Sequence, residues 1–399
     1  MSCKTYACGR CGESFLTLDT LNEHKSPIKC IKIPKSEAEN KIKEFALQNL
    51  EKIKKTKKKE YGQFFTKNHS YILQNIHIPD EVETIIEPFT GEGDLLEYIS
   101  STGKEYNLKL YDIDPKKESI VKQDTLMNPP DYTGSFVITN PPYLARNKSP
   151  KKEVYDKYGL NDLYKCFLST LITTPCQGGI LIIPLNFMCS TREADQTLRE
   201  VFLSVYSIEQ INIFEEDVFP DTSCTVCSIL FKEGKNDSII NVDIYPSKRN
   251  IQTKLSEENN YTIGGEVYNL KPSKNYKMER LCSKNLSEKN TNIVVKCIDD
   301  NSKSMIRAEY VEDDKELFVD TTPNSSARGK LTLMCTPPID ETAQKKVVDD
   351  FNEYLNQNRE KYHSLFMANY RDSSDIARKR ISYTLVYRIF GHLLDKECL

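Results

Sequence analysis

"IIEPFTGEGDLLEY", residues 85–98, decides the fold. A short apolar run ends on an acid, Glu87. Gly91 and Gly93 then break the run, and "GDLLEYISST" (93–102) reads as the start of a helix. Strand, glycine turn and helix together open a β-α-β unit. In an open sheet of such units a ligand sits beyond the carboxyl ends of the strands, where glycines let the backbone turn tightly and come close to it. The first amides of the following helix are exposed at the same place. Taken alone, a G-x-G is also what an ordinary tight turn looks like.

The texture repeats downstream. "YNLKLYDIDP", "SFVITNPPY", "GGILIIPLNF", "IEQINIFE" and "CTVCSILFKE" read as strands, and "DLYKCFLSTLITT" and "READQTLREVFLSVY" as helices. Strands alternating with helices predict a mostly parallel α/β sheet covered on both faces. Beyond about residue 236 the chain turns rich in Asn, Lys and Ser, and it closes on two helical stretches, "TAQKKVVDDFNEYLNQNREKYHSLF" and "DIARKRISYTLVYRIFGHLLDK". No internal repeat is visible. Four parts are expected: a Cys-rich unit (1–33), a charged helical linker (34–60), the α/β domain (61–235) and an α-rich C-terminal region (236–399).

Length and composition fit this plan. At 399 residues, 38% of them hydrophobic and 28% charged, the chain has material for more than one core. It has no apolar run of membrane length, and "MSCKTYACGRC" is neither a signal nor a transit peptide. An intracellular location is therefore expected. The formal charge of −3 names no partner, but "KIKKTKKKEYG" (52–62) and "ARKRISYTLVYR" (377–388) are basic patches of the kind that meet a polyanion. The alternative for both is ordinary solvated charge.

The second strand sharpens the reading of the glycine turn. It ends in Asp112 and Asp114, where an acid can meet the two hydroxyls of a ribose. The third glycine of the dinucleotide fingerprint is missing, and Asp94 directly follows Gly93. This favours S-adenosylmethionine, which has no pyrophosphate to cradle, over a dinucleotide.

The strand "SFVIT" ends in Asn140-Pro141-Pro142-Tyr143. An amine conjugated to an aromatic ring is a poor nucleophile, because its lone pair is delocalised into the ring. The Asn140 side-chain carbonyl and the Pro141 backbone carbonyl can accept its two hydrogens and favour a tetrahedral nitrogen. Acceptors fixed in advance by rigid prolines stabilise the transition state most. Tyr143 would offer a flat face to a planar base. The other Asn-Pro-Pro, "LMNPPDYTG" (127–134), has no apolar strand before it and has Asp131 in place of the ring, so it reads as a surface turn.

These motifs, in this order, resemble N6-adenine DNA methyltransferases of the γ arrangement, over about 61–235 and the tail around "ANYRDSSDIARKRISY". "YGQFFTKNHS", "EPFTGEGDLL", "YDIDP", "KQDTLM" and "NPPY" carry the resemblance. Thr90 and Glu92 depart from the family's commoner small residues. The resemblance implies a Rossmann-like, S-adenosylmethionine-dependent methyltransferase sheet followed by a target-recognition region. It assigns Thr66, Glu87, Phe89, Gly91, Gly93, Asp112, Ile113 and Asp124 to the cofactor and Asn140, Pro141, Pro142 and Tyr143 to catalysis. The substrate would be duplex DNA with the adenine flipped out. Arg371, Arg378, Lys379 and Arg380 are candidates for DNA contact, with helix-surface charge as the alternative. The sequence leaves open whether the chain has a restriction endonuclease as partner. Protein glutamine methyltransferases share the tetrapeptide but need neither a long C-terminal region nor a Cys-rich unit. RNA adenine methyltransferases often have Phe at the Tyr143 position. A catalytically dead DNA-binding module is the remaining alternative.

At the N-terminus, Cys8-x2-Cys11-x12-His24-x5-Cys30 has the spacing of a tetrahedral Zn2+ site, with Phe15 and Leu21 as its small apolar core. A unit this small depends on the metal for its folding energy. Cys3 competes for the fourth position, and the unit's partner, DNA or protein, is left open. Cys224-x2-Cys227 lies in an apolar strand and reads as packing. Most of the 13 cysteines sit singly in apolar segments, as buried thiols do.

Overall fold

Glycine opens the central strand for a steric reason. In "GGILIIP" a side-chain carbon at Gly179 would lie 2.3 Å from the Val137 carbonyl oxygen and 2.8 Å from the Phe231 ring. Only glycine lets the strands on either side close in there. The remaining residues of the strand are a continuous buried run, as a strand covered on both faces requires.

The computed structural model describes residues 6–7, 14–15, 17, 20, 66, 68–216, 218–219, 225–235, 239–300, 304–321, 329–370 and 378–397. The chain divides into two units, Met1–Tyr61 and Gly62–Leu399. In the first unit, β1 (Tyr6–Ala7) pairs antiparallel with β2 (Ser14–Phe15). Cys8, Cys11, His24, Cys30 and the linker 34–60 lie outside the described residues.

The second unit is built on a nine-stranded mixed sheet. Its strands are β3 (Thr84–Glu87), β4 (Asn107–Asp112), β5 (Val121–Lys122), β6 (Phe136–Thr139), β7 (Gly178–Pro184), β8 (Tyr206–Phe214), β9 (Val226–Glu233), β10 (Ile239–Tyr245) and β11 (Arg249–Lys254). They lie in the order β11-β10-β8-β9-β7-β6-β3-β4-β5. Pairing is parallel from β5 through to β7 and between β8 and β10, whereas β9 runs antiparallel between β7 and β8. Helices α1 (His69–Ile72), α2 (Asp94–Ser101), α3 (Glu153–Tyr158), α4 (Leu163–Thr173), α5 (Asn186–Cys189) and α6 (Glu193–Val205) connect the strands. From β3 the chain first builds outward through β4 and β5, then returns to the other side of β3 as β6. The reversal opens a crevice at the carboxyl ends of β3 and β6, the place where open α/β sheets bind ligands.

The C-terminal part differs from the sequence expectation in two ways. The main sheet continues past residue 235, because β10 pairs with β8 and β11 closes the edge. The region that follows also contains a four-stranded antiparallel sheet, β12 (Lys277–Arg280), β13 (Ile293–Lys296), β14 (Arg307–Tyr310) and β15 (Lys330–Thr336), in the order β12-β15-β13-β14. Three of these strands have four residues, too few for an alternation to be visible in sequence. Both expected helices are present, α7 at Glu341–Tyr362 and α8 at Tyr383–Glu397, with Phe351 and Phe390 stacked 4.4 Å apart between them, but the second begins eight residues later than its sequence suggested, because Arg378–Arg380 is a strand. Asp340 caps α7 by accepting the Ala343 amide at 2.8 Å. A short ribbon, β16 (Ala368–Tyr370) with β17 (Arg378–Arg380), completes the region.

One buried cation fastens α6 to the segment that follows β11. Arg199 has no exposed surface. It donates to the carbonyls of Phe187 (2.7 Å), Ser190 (3.1 Å) and Asn260 (2.6 Å). Burial depresses its pKa, and the three carbonyls supply the contacts that water would otherwise make. Arg199→Met should lower unfolding stability by about 3 kcal/mol or more, since it strands buried acceptors worth about 1–3 kcal/mol each. Denaturant titration measures this, and a loss under about 1 kcal/mol would contradict the role.

Candidate active site

Glu87, the last residue of β3, is 1% exposed and lies where β3 and β6 end together. Its Oε1 accepts the Thr139 hydroxyl at 2.5 Å and the Phe89 amide at 3.0 Å. Its Oε2 is buried with no hydrogen-bond partner among the described residues. Burial raises its pKa to about 8; the hydrogen bonds from Thr139 and Phe89 only partly offset this, and the Asp112 carboxylate adds to it.

Asp112 ends β4 and holds the glycine turn. Its Oδ2 accepts the Gly91 amide and its Oδ1 the Asp114 amide, both at 2.8 Å. The Thr90 amide donates to the Tyr111 carbonyl at 2.9 Å. Gly91 and Gly93 take left-handed φ angles of 57° and 90°, which favour glycine. Asp112 is thus buried and its two oxygens each accept an amide of the turn. Beside it Ile113 is exposed and Phe89 half-buried. Asp124 Oδ1 accepts the amides of Leu126 and Met127 at 3.1 Å each, leaving Oδ2 with no hydrogen bond to the described residues. The Thr125 hydroxyl pins this turn to the Pro88 carbonyl at 3.0 Å.

Asn140 follows β6 on the same edge and is half-buried. Its amide nitrogen lies 3.0 Å from the hydroxyl of Thr66, itself 3% exposed, so the two residues 74 positions apart in sequence meet directly. The Tyr143 hydroxyl contacts both Asn140 Oδ1 and the Ile182 carbonyl. One hydroxyl proton cannot serve two acceptors. Turning the Asn140 amide end for end resolves this: Thr66 then donates to Oδ1, Nδ2 donates to the Tyr143 hydroxyl, and that hydroxyl donates to Ile182. The Tyr143 ring is 3% exposed and edge-on to Tyr164 at 6.2 Å. The structure therefore shows it as a buried brace for Asn140, and stacking on a base needs the ring uncovered. By contrast, Asn128, Pro129 and Asp131 of the other Asn-Pro-Pro are all exposed.

The basic candidates are more scattered. Arg371 lies outside the described residues, as does the side chain of Arg378. Lys379 pairs with Glu215, which also accepts from His363 at 2.9 Å. Burial opposes the Glu215 charge, but His363 and Lys379 outweigh it and hold the pKa at about 2. Lys379 is thus engaged within the protein, and Arg380 is half-buried. Arg388 closes the basic stretch 377–388 but was not singled out as a contact. It lines a cavity of about 660 Å3 with Lys271, Ser382 and Thr384, with the exposed Glu257 and Glu258 also on its wall, and its Nε has no partner among the described residues. Cys227 is fully buried in β9, and burial pushes its thiol well up, so it is packing. Among the described residues no group of three or more His, Cys, Asp or Glu is arranged to hold a metal, and no helix is long and apolar enough to cross a membrane.

Residues 31–219 match the model of the Eco57I restriction-modification methylase family. The Type II methyltransferase M.AccI of Acinetobacter calcoaceticus is 28% identical over 207 residues, covering 43% of this chain and 37% of that protein. The chain thus spans well under two thirds of that relative's length. Among solved structures, a modification subunit of a putative type I restriction enzyme from Vibrio vulnificus YJ016 shares 15% identity over 59% of this chain and 57% of its own, with a TM-score of 0.36. A chain of a type I restriction-modification system shares 15% over 46% and 45%, with a TM-score of 0.39. Over the segment that carries the glycine turn and the Asn-Pro-Pro-Tyr tip, the chain is similar to restriction-modification methylases.

The raised pKa of Glu87 has a signed consequence. Between about 4.5 and 8 the folded chain keeps this proton while the unfolded chain has released it, so its contribution is complete below pH 4.5 and lost as pH rises through 8. Glu87→Gln should flatten the fall in melting temperature between pH 5 and pH 8, taken pairwise against wild type. Parallel melting curves for the two proteins would show that Glu87 is ionised in the fold.

Proposed function

We propose that this chain is a DNA methyltransferase of the restriction-modification type, moving a methyl group from S-adenosylmethionine to the N6 amine of adenine in a specific duplex sequence. The observation that carries the reading is the Asn140-Pro141-Pro142-Tyr143 tip, which ends a fully buried strand beside the glycine turn at the sheet's reversal point. The similarity of residues 31–219 to restriction-modification methylases supports it.

The residues around the turn suit an adenosyl sulfonium. Ile113 and Phe89 offer apolar surface, Asp124 Oδ2 is open to an exocyclic amine, and Glu87 Oε2 lacks a partner among the described residues. Gly91 and Gly93 allow close backbone approach, Asp112 holds the turn in place, and Thr66 borders the reacting end through Asn140. When bound, the cofactor supplies an electrophilic methyl on a sulfonium. The chain's part is to accept the two amine hydrogens at the Asn140 side-chain carbonyl and the Pro141 carbonyl, which aims the nitrogen lone pair. Proline at 141 and 142 fixes those oxygens before substrate arrives. An adenine in duplex must leave the stack to reach them, at a cost of a few kcal/mol. As it enters, Tyr143 uncovers its ring and stacks on the base.

Backbone contacts offset that cost. Arg371, Arg378 and Arg380 remain candidates, with Arg388 added from its cavity and Lys379 available only if Glu215 releases it. An endonuclease partner accords with the family resemblance. Cys8, Cys11, His24 and Cys30, at the spacing of a tetrahedral site, hold a structural Zn2+.

Labelled methyl supplied with duplex DNA, RNA and protein separately should enter DNA alone and be recovered as N6-methyladenine. Label in RNA or at glutamine would reassign the substrate, and none anywhere would remove the activity. Asn140→Ala should cut turnover by about 1,000-fold or more, leaving cofactor affinity within about threefold. Lost affinity with normal turnover at saturation contradicts the assigned role. Chelation should release one zinc per chain and unfold residues 1–33 while methyl transfer persists. Zinc content and labelled transfer, measured on the same sample, check both halves.

A further inference from the structure

Aspartate is among the best residues for starting a helix, because its side chain can accept the free amides of the first turn. Asp162 stands at that position of α4, in the extended conformation it calls for (φ −150°, ψ 147°), and its carbonyl takes the first helical hydrogen bond, from Cys166 at 3.2 Å. Yet its carboxylate makes no capping hydrogen bond to α4. Oδ1 instead accepts the amide of Leu144 at 3.1 Å. Leu144 is the residue directly after Asn140-Pro141-Pro142-Tyr143.

The surrounding geometry continues the tether. The Leu144 carbonyl accepts the Leu163 amide at 3.2 Å and the Tyr155 hydroxyl at 2.9 Å. The Arg146 amide donates to the Asn161 carbonyl at 2.9 Å, and Ala145 bridges Asp162 in antiparallel register. Behind this miniature ladder, Lys165 reaches Asn161 Oδ1 (2.9 Å) and pairs with buried Asp195, which accepts the Ser190 hydroxyl at 2.6 Å. The prolines stiffen the tip along its length but give it no amide through which to be held from the side. Leu144 has the first backbone donor after Tyr143, so it is the natural point to anchor.

We infer that Asp162 is a positioning residue, diverted from capping its own helix to fix the exit of the Asn140–Tyr143 tip through the Leu144 amide. The inference rests on the proposed methyl transfer only for its functional meaning; the tether itself can be tested without activity. Asp162→Asn keeps an acceptor oxygen at the same place, and Asp162→Ala removes it. Amide hydrogen exchange should show Leu144 protected in wild type and Asp162→Asn and at least about tenfold faster in Asp162→Ala. Steady-state methyl transfer to duplex DNA should show Asp162→Asn within about threefold of wild type, and Asp162→Ala with kcat lowered about tenfold or more at unchanged KM for the cofactor. Equal Leu144 exchange in wild type and Asp162→Ala overturns the inference, as does wild-type kcat in Asp162→Ala. Loss of turnover in Asp162→Asn equal to that in Asp162→Ala also overturns it, because the carboxylate charge would then matter and the acceptor would not. A wild-type protein with a protected Leu144 and no transfer to any substrate supports the tether and overturns the methyltransferase reading.

Discussion

A buried carboxyl group that stays protonated near neutral pH ties the two halves of the site together. Glu87 belongs to the strand that feeds the glycine turn, and its hydrogen bond from Thr139 reaches the strand that ends in Asn140. Its side chain thereby spans the reversal point of the sheet, and the Phe89 amide draws the start of the turn onto the same oxygen. As an ion, Glu87 would stand beside Asp112 with little water to screen the pair. Through these hydrogen bonds it holds the two strand ends at fixed separation. Asp112 does the complementary work in the other direction, holding the turn to β4.

Much of this was legible in the amino-acid sequence, for identifiable reasons. The central strands of the main sheet are buried on both faces and read as apolar runs, so "IIEPF", "FVIT" and "GGILII" could be assigned by composition alone. The two Asn-Pro-Pro segments could be told apart, because only one follows such a run, and the structure leaves the other exposed. The long helix α7 was equally plain as a helical stretch, although its cap at Asp340 appeared only in the fold.

The less legible features depend on contacts between residues far apart in sequence. Four-residue strands such as Ile293–Lys296 carry no period, so a sheet was hidden in an Asn- and Lys-rich segment. Charge could be counted but its pairing could not: Lys379 looked like a DNA contact and is held by Glu215, 164 residues away in sequence. Tyr143 was read as a flat face for a planar base from its residue type and its place in the tetrapeptide. Burial against Tyr164 and a hydroxyl bound at Asn140 are outcomes of folding. Asp162 is the sharpest case: its residue type and place fit a helix cap, and only the fold shows that its carboxylate serves another segment.

The extension of the main sheet by β10 and β11 bears on how proteins of this shape could be recombined. A hybrid joined at residue 235, where the composition changes, would strip two strands from the sheet and expose the edge of β8, an invitation to aggregation. A graft point beyond Asn260, past the last carbonyl that Arg199 holds, would carry the whole sheet across intact. The seam along which the C-terminal region could be exchanged between such proteins thus lies some 25 residues downstream of the visible change in composition.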